Sequence, residues 1–235
     1  MSDPIPLTRR VAQLCACSYE EAARVIADGG VTVDGRLVTD PDRPVRDEQV
    51  EVAPAAHPDA IEPATLLWHK PAGVACSAMP PIEPAGRWSE DPSRVQMLPR
   101  HYRNLTLLMP IEPDASGLVV LSQDGRVWRR LTEDLVEIEQ EWIVEVSGKS
   151  NPYTLGAFNR GIVYNGRPLP PCKVSWQNEV RLRFAITNVQ PGQLHHMCAH
   201  AGLGVVSLRR LRIGRIALAK MPVGNWRALP PGERF

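Results

Sequence analysis

Past Thr65 the chain is written almost entirely in strand-length apolar runs, and this limits the fold more than any other feature. TLLWHK (65–70), GVACS (73–77), LTLLMPI (105–111), GLVVLSQ (117–123) and EWIVEVSG (141–148) are followed by GIVYNG (161–166), KVSWQ (173–177), RLRFAITN (181–188) and GVVSLRRLRIGRIAL (204–218). Their β-branched and aromatic residues suit a pleated surface, and turn residues separate them. Only RVWRRLTED (126–134) and QLHHMCAHAGL (193–203) have helical spacing there. Many strands with few helices imply an α+β fold built on a large, mainly antiparallel sheet.

The first fifty residues read differently. TRRVAQLCA (8–16) and SYEEAARVIADGG (18–30) each have the spacing of a short amphipathic helix. Ser18 is the N-cap of the second, Glu21 completes a capping box, and Gly29 or Gly30 ends it. VTVDGRLV (31–38) is a hairpin with Asp34-Gly35 at its turn, and DEQVEV (47–52) adds a strand. The following APAAHPDAIEPA (53–64) lacks periodicity and reads as a linker. The expected organisation is a small domain over 1–53, a linker over 54–64, and a large domain over 65–235.

Charge is uneven. Residues 1–52 carry six arginines against ten acids, a net −4, whereas residues 173–235 carry ten Lys/Arg against Glu179 and Glu233, a net +8. A basic segment of this kind suits a polyanion, or else forms a solvated face. The five cysteines lack the C-x-x-C spacing of a zinc knuckle and are expected as reduced thiols. No apolar run approaches a membrane span, and MSDPIPLTRR is not a signal peptide, so a cytoplasmic monomer without membrane contact is expected.

Several motifs resemble one family in the right order. The helix pair and V-x-V-x-G-x-x-V hairpin of 7–52 resemble an S4 RNA-binding domain. LLWHKPAGV carries Lys-Pro-x-Gly at Lys70, Pro71 and Gly73, and SGLVVLSQDG resembles the strand after a nucleophile loop. QLHHMCAHAGLGVVSLRRLRIGRIAL resembles a Gln-x-x-x-Met helix followed by a Leu-x-Arg-x-Arg-Ile-Gly strand, and PVGNWRAL resembles the ending. The family is the rRNA pseudouridine synthases of the small-subunit and large-subunit type. The resemblance implies a small S4-like (α-L) domain joined to a synthase-like domain with a mixed, mainly antiparallel sheet. It implies no cofactor, an RNA partner (rRNA foremost), and a flipped uridine on which an aspartate acts as the base detaches, turns and rejoins through carbon 5.

Aligned on SGL, the nucleophile motif Gly-Arg-Leu-Asp-x-x-Thr-Ser-Gly-Leu becomes Met109, Pro110, Ile111, Glu112, Pro113, Asp114, Ala115, Ser116, Gly117, Leu118. Glu112 therefore holds the nucleophile position and Pro110 replaces the arginine that pairs with it, while Asp114 matches a common second acid. Lys-x-Tyr becomes Gln140-Glu141-Trp142, so Trp142 is either the base-stacking aromatic or a core residue. Asn-Arg-Gln-x-Arg-Arg-Met becomes Pro191 to Met197, with Gly192, His195 and His196 where arginines stand. Ser-Arg-Arg-Glu-Ala becomes Ser18 to Ala22, losing two cations.

RNA contacts are implied for Arg10, Arg24, Arg36, Lys70, Gln193, His195, His196, Arg210 and Arg212. Lys70 could equally shape a turn. Period two puts Arg210 and Arg212 on one face of their strand and Arg209 and Arg215 on the other. His196 and His200, four apart on a helix, could pair on a metal, but the reading favoured is histidines facing solvent or RNA, and no metal is expected. The functional readings are an RNA-binding family member whose isomerisation is impaired or lost, or an active synthase using Glu112.

Overall fold

The computed structural model describes residues 4–54, 63–79, 81–149, 153–158 and 161–235. The expected linker falls mostly on 55–62, outside the described residues. Two compact units result: Met1–Pro63 with Gln96–Asn104, and Ala64–Val95 with Leu105–Phe235.

The first unit begins with β1 (Ile5–Pro6), α1 (Leu7–Cys15) and α2 (Tyr19–Ala27). The expected capping box starts α2, with Ser18 accepting from the Glu21 amide and the Glu21 carboxylate accepting from the Ser18 amide. That hydrogen bonding holds the Glu21 carboxyl below the usual carboxylate range. Strands β2 (Val31–Val33) and β3 (Arg36–Leu37) form the hairpin, with positive φ at Asp34 and Gly35 as a type I′ turn requires. After β4 (Pro44–Val45), which pairs with β1, β5 (Val50–Val52) pairs with β2. Leu7, Val11, Ala22, Ile26 and Val31 fill the core between helices and sheet. The segment 96–104, far away in sequence, belongs to this unit, where Arg103 meets the buried Asp28 at 3.3 Å. Burial pushes the Asp28 carboxyl up, and Arg103 and Arg100 pull against that shift.

The second unit is the expected large sheet. Its elements are β6 (Thr65–Lys70), β7 (Thr106–Leu108), β8 (Ala115–Ser122), α3 (Gly125–Glu133), β9 (Glu139–Ser147) and α4 (Thr154–Ala157). There follow β10 (Val163–Tyr164), β11 (Arg167–Pro168), β12 (Lys173–Asn178), β13 (Arg181–Thr187), α5 (Gln193–His200), β14 (Gly204–Ile213), β15 (Ile216–Ala217) and β16 (Trp226–Ala228). The strand order is β12-β13-β9-β14-β8-β6-β16, with β15 on β14 and β7 on β8. The β14–β8 pair is parallel and the other pairs in the sheet are antiparallel, so the mixed, mainly antiparallel character holds. Leu67, Leu118, Val120, Leu131 and Ile213 build a core beneath α3.

Three expectations are corrected. GVACS is not a strand: Gly73 has φ +84° and Cys76–Ala78 is a 3-10 turn, because the chain folds back around the Lys70 ammonium. The WRA of PVGNWRAL forms the edge strand β16, paired with β6, where no strand was read. Arg210 and Arg212 do not share a face. Arg210 stands opposite Trp142 and Arg212 opposite Glu141, with a register shift between them. This bulge inserts Leu211 and turns the two guanidinium groups to opposite sides of the sheet.

Candidate active site

The site forms where the loop 109–114 enters β8. Its entry depends on Gly117, at φ +117°, where a Cβ would lie 2.3 Å from the Arg210 carbonyl oxygen. Only glycine allows β8 and β14 to approach so closely, which gives the SGL motif a physical reason.

Lys70 holds the loop from below. Its side chain is fully buried, and its Nζ donates to the carbonyls of Pro71 (2.8 Å), Val74 (2.6 Å) and Pro113 (3.1 Å). The Gly73 amide donates to the same Pro113 carbonyl at 2.7 Å. Burial lowers the Lys70 pKa, but three carbonyl oxygens meet its three donors. Lys70 is thus a buried brace between the Lys-Pro-x-Gly turn and the acidic loop, not a surface cation for RNA.

Both loop acids engage α5. The Glu112 carboxylate accepts from the Gly192 amide, which caps the start of that helix. Partial positive charge at a helix N-terminus favours an anion there. Two residues on, Asp114 pairs with His195 at 3.0 Å. Gly192 has φ +74°, and a Cβ there would come within 2.6 Å of the Tyr164 hydroxyl. Tyr164 in turn donates to the Pro191 carbonyl. A side chain at 192, the arginine of the resemblance included, would displace that arrangement.

Arg210 is the buried centre. It donates from Nε to the Leu118 carbonyl (2.7 Å), from Nη1 to Gln140 Oε1 (3.2 Å), and from Nη2 to the Met109 carbonyl. Its Cζ lies 5.4 Å from the Trp142 ring centroid, a cation–π contact. Burial lowers its pKa. Trp142 is 3% exposed, packed beneath Arg210 with its indole N–H donating to Gln140. Of the two readings offered for Trp142, the geometry is that of a core aromatic.

The remaining implied RNA contacts divide by exposure. Gln193 is buried, caps its own turn through the Gln190 amide, and offers nothing to solvent; with Lys70 and Arg210 it is corrected from surface to interior. Arg212 is tied to Glu139 (2.7 Å) and Glu141 (3.2 Å). His196 donates Nε2–H to the Val163 carbonyl at 2.9 Å, and His195 is held by Asp114, so these two imidazoles serve different partners. Among the described residues no three His, Cys, Asp or Glu side chains are arranged to hold a metal. In the first unit Arg36 is exposed, Arg10 half-buried, and Arg24 exposed in an i,i+4 pair with Glu20.

Two participants had no distinct sequence signal. Cys76 donates its thiol to the Ile111 carbonyl at 3.3 Å, linking the Lys70 turn to the acidic loop. Tyr164 sits on a hairpin that turns at Asn165-Gly166, within the run read as the strand GIVYNG, and its reach to Pro191 left no sequence signal.

Residues 9–51 match the S4 domain family. Over 97% of its length the chain is 26% identical to the dual-specificity RNA pseudouridine synthase RluF of Escherichia coli K12, covering 77% of that protein. It is 28% identical to the ribosomal small subunit pseudouridine synthase A of the same strain, covering 97% of each. A crystal structure of pseudouridylate synthase matches 96% of both chains with a TM-score of 0.58 at 19% identity, a likeness of fold. An S4 domain joined to a pseudouridine-synthase fold is the class that these features define. Residues 9–51 belong to the S4 domain family, and over nearly its whole length the chain is similar to S4-bearing RNA pseudouridine synthases.

Proposed function

We propose that the chain binds structured RNA, rRNA foremost, and that its conversion of uridine to pseudouridine is weakened or lost. The observation that carries this reading is the engagement of Glu112. Its carboxylate, at the nucleophile position, is held by the Gly192 amide, and Pro110 supplies no guanidinium to face it. The longer glutamate moves the carboxylate by about 1 Å relative to aspartate, and a displacement of that size costs roughly 100-fold in rate. The interior position of Trp142 adds to this, since a flipped base needs an exposed ring to stack upon.

Turnover through Glu112 is the second reading, favoured by one observation: the carboxylate is half-exposed on a loop firmly braced by Lys70. Transcripts carrying tritium at uridine carbon 5 separate the two. Binding without label release supports the proposal. Release that disappears in Glu112→Ala would establish the active enzyme in its place.

A further inference from the structure

The net +8 of residues 173–235 is not spread evenly once ion pairs are counted. Arg181 pairs with Glu145 (3.0 Å), Arg183 with Glu141 (2.8 Å) and Arg212 with Glu139 (2.7 Å), while Arg210 is buried among carbonyls. By contrast, Arg215 and Arg234, like Lys173, Arg209 and Lys220, are exposed and form no ion pair among the described residues. Both line one groove of about 530 Å³, together with Trp88, Arg227 and Glu233.

Arg227 gives this groove a built cation. It is 5% exposed, with Nη1 on the Ala228 carbonyl (3.2 Å) and Nη2 on Glu233 at 3.3 Å. A well-formed guanidinium–carboxylate bond is shorter, about 2.7–2.9 Å. Glu233, exposed and next to Gly232, therefore occupies loosely a place that suits an anionic oxygen.

The groove is separate from the acidic loop. Arg227 stands opposite Leu67, and Leu67 opposite Val120, five residues along β8 from Ala115 where the loop enters. At about 3.3 Å per residue this is roughly 17 Å.

We propose that this groove takes one nucleotide of an RNA strand, its phosphate on Arg215, Arg227 and Arg234 and its base against Trp88. Three cations against one carboxylate match a phosphodiester, and an indole offers any base a stacking face. A volume of this size admits a nucleotide. The inference rests on the RNA-binding reading above, but not on turnover.

The test is anisotropy binding of a fluorescein-labelled rRNA transcript over a range of potassium chloride. The proteins compared are wild type, Arg215→Ala/Arg234→Ala, Arg215→Lys/Arg234→Lys and Trp88→Ala. Losing two phosphate contacts lowers the salt slope by about 1.5 and weakens binding about tenfold. The lysine pair restores the slope, and Trp88→Ala weakens binding about tenfold without changing it. Wild-type slope in the alanine pair overturns the groove and leaves RNA binding standing, whereas wild type that binds no RNA overturns both. A 4-thiouridine transcript is expected to crosslink to the peptide bearing Trp88. Loss of that crosslink to equimolar UMP would mark a mononucleotide site and overturn the strand assignment.

Discussion

Glu112 and Asp114 are two residues apart, and each has a partner at the start of α5: a backbone amide for one and His195 for the other. The acids themselves are legible in the sequence, because SGL fixes the alignment. Their partners are not, since Gly192 contributes a backbone N–H that any residue carries. The same limit applies to Lys70 and Arg210, whose residue types fit a polyanion while their side chains point inward. Gly117→Ala is expected to destabilise the large unit by about 3 kcal/mol or more, from overpacking and a positive φ. In a melt monitored by circular dichroism, that is a fall of roughly 6–12 °C. Cys198 gives a pH prediction. Burial pushes its thiol up to about 12 from 9.0. Between those values the folded state holds a proton that the unfolded chain releases, so this stability is complete below pH 9 and is lost as pH rises toward 12. Denaturant titrations across that range should show a steeper alkaline loss in wild type than in Cys198→Ala, and equal slopes would refute the assignment.

Elements were read best where a local signal coincides with a local hydrogen bond. Ser18 and Glu21 announce the start of α2, and Asp34-Gly35 announces the hairpin, because both depend on neighbours within four residues. Ser18→Ala is expected to cost α2 about 1 kcal/mol, seen as roughly fivefold faster amide exchange confined to that helix. Features that depend on distant partners were misread. GVACS has strand composition, but the Lys70 ammonium gathers its carbonyls into a turn. The β14 bulge at Leu211 leaves no mark in the alternation, and it decides that Arg210 is interior while Arg212 joins Glu139 and Glu141 on the outer face. Segment 96–104 packs with the first unit, across a sequence distance that periodicity does not span.

Across the whole molecule, the fold is like that of a pseudouridylate synthase, and the residues that the resemblance aligns with the chemical centre differ in type. The wide sheet, the close β8–β14 approach at Gly117 and the Lys70 brace still deliver a loop to the α5 terminus. On that loop the resemblance aligns Glu112 with an aspartate and Pro110 with an arginine. Three of the ten cations of 173–235, Arg181, Arg183 and Arg212, are held in ion pairs on the sheet, which composition alone does not reveal. The most direct measurement is label release under single-turnover conditions, with protein in excess over rRNA transcripts tritiated at uridine carbon 5 and binding followed in the same samples. The account predicts bound transcript with release at least ~100-fold slower than from Pro110→Arg/Glu112→Asp. Stoichiometric release by wild type, as fast as that variant and abolished in Glu112→Ala, would contradict it.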